Sequence, residues 1–305
     1  MGCWATGGKW WGDDYSDKDS RATIEAALEA GVNFFDTAPL YGYGHSDEVL
    51  TDALGSRRHD VIIATKVGVR FKGPSGHAQS DLTAAHIRQD TEASLKRLKL
   101  DQIPLLQIHW PCELATPPEE TMKTLLHLQE EGKIAHIGAC NYNADGLTGL
   151  LEHGLVTTLQ TPHSMVRSRY DPALRALCQS GGAQGQPLGV IAYEPLCRGL
   201  LTGKYRTHPS FPLEDVRTQD DWFKGDRFTQ VLGLLKILDQ VSEKVRVSLP
   251  TLAVAWSARQ PGITTTIVGA KRPEQIEETS RAYRLLDSEK LWNILDRIVE
   301  EYPSI

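Results

Sequence analysis

Cysteine is scarce in this chain and poorly placed for structural use. Cys3, Cys112, Cys140, Cys178 and Cys197 are odd in number, far apart and without a C-x-x-C pair. Neither a disulfide framework nor a cysteine zinc site fits that spacing. The ten histidines contain no H-E-x-x-H, so no metal site is expected. Basic residues are not in excess: 33 Lys and Arg against 39 Asp and Glu leave a net charge of -6. A nucleic-acid partner would normally require a basic field, and none is expected here. Apolar runs are short of the roughly 18 residues that span a bilayer, and no charged-then-apolar leader is visible. The 26 glycines and 16 prolines follow no period, which excludes collagen-like and low-complexity classes. Met1-Gly2-Cys3-Trp4-Ala5-Thr6 matches a short myristoylation pattern, but reads better as a strand end entering a Gly7-Gly8 turn. What is present, 40% hydrophobic and 24% charged residues over 305 positions, describes a cytoplasmic globular protein. Its length suits two domains or one α/β barrel of about 250 residues.

Short β-branched runs alternate with stretches of helical period. Residues 33–36 precede a helix over 46–54, with Ser46 as its N-cap and Asp47 and Glu48 in the first turn. Strand 61–66 leads to a helix over 83–98. Strand 103–110 leads to one over 118–132, opened by proline and two glutamates. Residues 135–141, 157–163 and 189–196 are three more strands, each with a helix after it. The last strand is 264–269, and its helix starts near Pro273. With Gly2 to Trp4 as the tail of an eighth strand, strict alternation predicts a parallel (β/α)8 TIM barrel, one domain over residues 1–305. An open doubly wound sheet would want a G-x-G-x-x-G turn, and Gly7-Gly8-Lys9-Trp10-Trp11-Gly12 lacks that spacing. Gly199 to Tyr205 is one residue too short for a P-loop and has Tyr where Ser or Thr must hold magnesium.

Barrel active sites gather at the C-terminal ends of the strands. Asp36 ends the second strand, with Tyr41 five residues on. Lys66 ends the third, His109 the fourth, Asn141 the fifth, Gln160 the sixth and Tyr193 the seventh. Each has a structural reading taken alone: Asp36 as a loop cap, Tyr41 as packing with a wet hydroxyl, Lys66 as a solvated strand end, His109 as a core residue beside Trp110. Four such groups converging on one mouth point to a site.

The segments that carry these residues are Gly31-Val32-Asn33-Phe34-Phe35-Asp36-Thr37-Ala38 with Tyr41-Gly42, Ala64-Thr65-Lys66, Gln107-Ile108-His109-Trp110 and Gly138-Ala139-Cys140-Asn141. Gln160, Tyr193-Glu194-Pro195-Leu196 with Gly199 to Lys204, and Ile267 to Gln275 complete the set. In that order, over nearly the whole chain, they resemble the aldo-keto reductase superfamily. The resemblance implies an NADPH-dependent reductase of aldehydes and ketones, with Asp36, Tyr41, Lys66 and His109 as its catalytic tetrad. It places Asn141 and Gln160 on the nicotinamide carboxamide beside Cys140, and Tyr193 under the ring, followed by Pro195 and Leu196. Gly269, Lys271, Arg272, Gln275, Glu278 and Thr279 fall at the adenosine end.

The chemistry agrees with those roles. A carbonyl accepts hydride only when its oxygen is protonated or polarised. Tyr41 would give the proton, and the Lys66 ammonium should lower a phenol pKa that starts at about 10. Asp36 would keep Lys66 charged, and His109 would fix the carbonyl. Lys271 and Arg272 precede a helix start, where backbone N–H groups and two cations suit a 2′-phosphate; NADPH is therefore expected over NADH. Three departures stand out: Cys140 replaces a usual Ser, Thr279 replaces a usual Asn, and no hairpin precedes the first strand. Without that plug an apolar barrel floor should be exposed. Loops 71–80 and 204–227 are long enough to cover a pocket for a small-molecule carbonyl substrate. A monomer or weak homo-oligomer is expected. Two other readings remain open: a non-catalytic NADPH-sensing regulatory subunit of the same fold, and an aldolase-like barrel with Lys66 as a Schiff-base nucleophile.

Overall fold

Seven parallel strands curl side by side, and the first three residues of the chain close the circle. The computed structural model describes residues 1–12, 15–70, 78–112, 115–167, 170–285 and 287–302. Its strands are β1 (Phe34–Asp36), β2 (Ile62–Val67), β3 (Val69–Arg70), β4 (Gln79–Ser80), β5 (Ile103–Ile108), β6 (Ile134–Cys140), β7 (Thr158–Pro162), β8 (Gly189–Tyr193) and β9 (Thr265–Thr266). The sheet order is β1-β2-β5-β6-β7-β8-β9, parallel throughout, while β3 and β4 form a small antiparallel ribbon. Gly2 bridges Asp36 on one side and Gly269 on the other, both in parallel sense. Its N–H donates to Val268 O at 2.9 Å, and the Cys3 N–H donates to Asp36 O at 2.8 Å. The expected eighth strand is thus present as a bridge, and the barrel is the (β/α)8 fold.

The helices are α1 (Asp17–Glu29), α2 (His45–Leu54), α3 (Ala84–Leu98), α4 (Pro118–Glu130), α5 (Ala144–Leu151), α6 (Pro172–Ser180), α7 (Gly225–Val245), α8 (Leu249–Arg259), α9 (Pro273–Ser280) and α10 (Glu289–Glu301). Their starts follow local chemistry. Ser16 and Asn143 accept the N–H of the residue three positions on, and α4, α6 and α9 open on proline, whose missing donor costs nothing there. Ser46 departs from expectation. The N-cap of α2 is Gly44, in the left-handed region, and the Ser46 hydroxyl donates instead to Cys3 O at 2.8 Å. A tertiary partner outcompetes the cap.

Strands covered by helices on one side and barrel interior on the other bury nearly every residue. Leu106, Ile108, Ile137 and Leu159 pack outward on Ile87, Leu125, Leu128 and Leu147 of the surrounding helices. Ala64, Leu105, Ile191 and Ile267 fill the interior. Phe34 is half-buried beside them and Ile62, at the start of β2, is 47% exposed.

One histidine fastens α8 to the barrel. His163, just past β7, lies parallel to Trp256 with centroids 5.3 Å apart, and its Nδ1 is 3.1 Å from Ser257 Oγ. Burial, reinforced by the Arg175 charge, pulls its pKa down to about 4. The unfolded chain titrates near 6.5 and so binds more protons in between. This contribution is complete above about pH 6.5 and is lost as pH falls toward 4. Urea unfolding at pH 7.5 and 4.5 is expected to show a loss about 2 kcal/mol larger for the wild type than for His163→Phe, which keeps the stack. Equal losses would show that His163 does not set the acid sensitivity.

Candidate active site

The ends of β1 and β2 bring a carboxylate and an ammonium together with almost no solvent between them. Asp36 and Lys66 are each 1% exposed. Lys66 Nζ donates to Asp36 Oδ2 at 2.6 Å, to Thr37 O at 2.9 Å and to Tyr41 Oη at 3.2 Å. An ammonium has three hydrogens, and all three are engaged. Burial alone would lower the Lys66 pKa, but Asp36 and Tyr41 more than offset it and hold the group above its ordinary value. A Schiff-base nucleophile must be a neutral amine, so this geometry speaks against the aldolase-like reading.

Tyr41 follows β1 in a short helical turn whose next two residues, Gly42 and Tyr43, have φ of 62° and 58°. The turn is tight because Gly42 approaches Gly7: a Cβ on Gly42 would meet Gly7 O at 2.1 Å. The Tyr41 ring stacks against Trp4 at 6.0 Å, and Arg198 covers Trp4 from beyond. Burial raises the Tyr41 pKa, and the Lys66 charge opposes that rise without reversing it. The lowering expected from Lys66 is therefore real in direction but outweighed, because the phenol sits in a poorly solvated position. His109, just past β5, meets Tyr41 edge-to-face at 6.0 Å. Its pKa is held well below the ordinary value by burial and by the Lys66 charge. The imidazole is neutral at pH 7.

A polar layer continues from this group, and its member Gln107 was given no role by the sequence reading. Gln107 Nε2 and Gln160 Nε2 both donate to Asp36 Oδ1, at 3.0 and 2.8 Å. The Cys140 thiol reaches Gln107 Oε1 at 3.6 Å, and burial raises its pKa, so it is an inert thiol. Asn141 Nδ2 donates to His109 O at 3.0 Å, and Tyr193 Oη donates to Asn141 Oδ1 at 2.8 Å. Behind Thr37, its hydroxyl donates to Asp47 Oδ1 at 2.8 Å, and Arg97 Nε holds Asp47 Oδ2 at 2.9 Å.

The loop after β8 is strained. Glu194, Cys197 and Arg198 have φ of 56°, 45° and 54°, each costing on the order of 1–3 kcal/mol. Glu194 offsets that cost by pairing with Arg167 at 3.1 Å and Arg198 at 2.8 Å, and Arg198 also pairs with Asp220 at 3.1 Å. Pro195 is buried and Leu196 half-buried in this turn. In the long loop beyond, Arg217 binds Asp215 with two nitrogens, at 2.8 and 2.5 Å, and Trp222 and Phe223 are buried packing. Of loop 71–80, residues 71–77 lie outside the described residues.

The adenosine-end residues gather around the start of α9. Arg272 is its N-cap, the Lys271 N–H donates to Gln275 Oε1 at 2.8 Å, and Lys271 Nζ donates to Trp11 O. Gly269 abuts Gly2. Glu278 is half-buried, and the buried Thr279 returns its hydroxyl to Gln275 O at 2.8 Å within its own helix.

Residues 1–300 match the model of the aldo/keto reductase family. The chain belongs to that family. It is 34% identical to an aldo-keto reductase of Bacillus subtilis, over 92% of this chain and 83% of that protein. It is 33% identical to the NADH-specific methylglyoxal reductase of Escherichia coli, over 93% of this chain and 89% of that one. Among solved structures, the glycerol dehydrogenase of Gluconobacter oxydans superposes with a TM-score of 0.86 at 31% identity, covering 100% of this chain and 92% of that one. The protein is accordingly an aldo-keto reductase: an NAD(P)H-dependent oxidoreductase acting on small carbonyl compounds. Among its described residues no helix is long and apolar enough to cross a membrane.

Proposed function

We propose that the whole chain is one catalytic domain that reduces an aldehyde or ketone with NADPH, Tyr41 acting as the general acid. The observation that carries this reading is the full engagement of the Lys66 ammonium on Asp36, Thr37 and Tyr41. Because Tyr41 Oη accepts from Lys66, its own hydrogen points elsewhere, free for a substrate oxygen. A nicotinamide held by Asn141, Gln160 and Tyr193 would supply hydride for the carbonyl carbon. As negative charge grows on the carbonyl oxygen, Tyr41 protonates it and the phenolate left behind is neutralised by Lys66. Asp36 keeps that ammonium in place. Neutral His109 suits a hydrogen bond to the carbonyl rather than proton donation.

The residues present fit the cofactor. Tyr193 is a half-buried platform steadied through its hydroxyl, Asn141 retains one amide N–H, and Gln160 retains its carbonyl oxygen. Oxidation of NADPH against a panel of aldehydes, ketoses and quinone-like carbonyls tests the reading. Cofactor binding without turnover of any of them would favour the regulatory subunit instead.

A preference for NADPH over NADH is expected from the cations at the α9 start, since a 2′-phosphate there would meet Lys271, Arg272 and the positive end of the helix dipole. About tenfold tighter binding is expected, equivalent to about 1.4 kcal/mol. Both dissociation constants, at fixed salt, should converge in Lys271→Ala/Arg272→Ala. A ratio unchanged by that double substitution rules these residues out as the reader of the phosphate.

A further inference from the structure

Gln107 has no place in the reaction as described so far, yet it touches the tetrad directly. It is fully buried on β5, level with Lys66 on β2 and with Gly138 on β6. The neighbouring strand is bare where its stem passes: a Cβ on Gly138 would lie 2.9 Å from Gln107 Cγ and 2.4 Å from Thr158 Oγ1.

Hydrogen-bond polarity fixes how the two glutamine amides lie. A carboxylate paired with an ammonium only accepts, so both nitrogens must face Asp36 Oδ1. Gln107 Oε1 then faces away from Asp36, where the Cys140 thiol and Gln160 Nε2 reach it at 3.6 and 3.3 Å. That gives the Gln160 amide nitrogen a second acceptor and uses both its hydrogens. The Gln160 oxygen is left as the only end available to a ligand.

We propose that Gln107 is a positioning residue for the reaction. It holds Asp36 Oδ1 so that Oδ2 stays on Lys66, and it locks the Gln160 amide with its oxygen toward the ligand. The second role rests on the reading that the nicotinamide carboxamide lies against Gln160. An oxygen fixed there demands an N–H donor. Nicotinamide has one, whereas a 3-acetylpyridine ring keeps the carbonyl and lacks it.

Dissociation constants for NADPH and for its 3-acetylpyridine analogue, read by quenching of tryptophan fluorescence, test this without turnover. The wild type is expected to prefer NADPH by about tenfold, the effect of one acceptor left unpaired. In Gln107→Leu the Gln160 amide nitrogen keeps Asp36 Oδ1 but loses its second acceptor, so its oxygen is held less firmly toward the ligand, and the preference should fall to about threefold or less. Turnover with NADPH should fall about tenfold in the same variant, because Asp36 loses a fixed donor. Gln107→Met keeps the unbranched stem and gives the same readout if the leucine variant does not fold. An unchanged preference in the Gln107 variants overturns the proposal. Failure of the wild type to bind either dinucleotide would instead overturn the cofactor reading itself.

Discussion

Replacing Tyr41 by phenylalanine is expected to lower carbonyl turnover at least about 100-fold while NADPH affinity stays within about twofold. The ring remains, so its stack on Trp4 and its edge contact with His109 survive. Only the hydroxyl goes, and with it the proton that the substrate oxygen needs. Lys66 cannot substitute as the acid, because Asp36 and Thr37 already hold two of its hydrogens and its pKa is raised. Neutral His109 has too weak an N–H acid to replace it. Steady-state kinetics beside a binding titration separates the effects. Turnover near that of the wild type in the phenylalanine variant would remove Tyr41 from the mechanism.

Lys66→Met should cost more, and in two ways. Turnover is expected to fall at least about 1000-fold, since no positive charge would stabilise the phenolate forming on Tyr41. Stability should fall by about 3 kcal/mol, because Asp36 keeps a buried charge and loses its counter-ion. Those losses have different cures. Asp36→Asn added to Lys66→Met removes the stranded carboxylate and should restore most of the stability, with no recovery of turnover. Chemical denaturation of both variants, paired with activity, checks this. Recovery of activity along with stability would mean that Lys66 acts through folding and not through the charge on Tyr41.

The interior of the site shows why some residues were readable and others were not. Asp36, Lys66 and His109 stand at strand C-termini, and strand ends can be found from local pattern because βα alternation is itself local. Gln107 lies two positions before His109 in the same motif, but its partner Asp36 is 71 positions away. No periodicity encodes that pairing. Glu194 is a similar case: its strained φ and its two arginines arise from a loop that folds back on the mouth. Ser46 has the composition of an N-cap, yet it is the second residue of α2 and its hydroxyl donates to Cys3 O. The Tyr41 pKa needed two opposing quantities, and only one of them, the Lys66 charge, has a sequence signal. Burial depends on everything packed around the ring.

By itself the sequence determined the alternation of strands and helices, the helix starts at Pro118 and Pro273, the family, and the placing of Asp36, Tyr41, Lys66 and His109 at one mouth. Each of these rests on short-range chemistry: period, capping, or a motif of a few residues. Tertiary structure decided the rest. It alone closes the barrel through Gly2, between Asp36 and Gly269, and it alone sets two amides on one oxygen of the Asp36 carboxylate. It also turns Lys271 toward Trp11, 260 residues distant. The physical reason is common to all three: hydrogen bonds and ion pairs form wherever burial leaves a polar group no water to bind. Which groups are left in that position is settled only when distant strands meet.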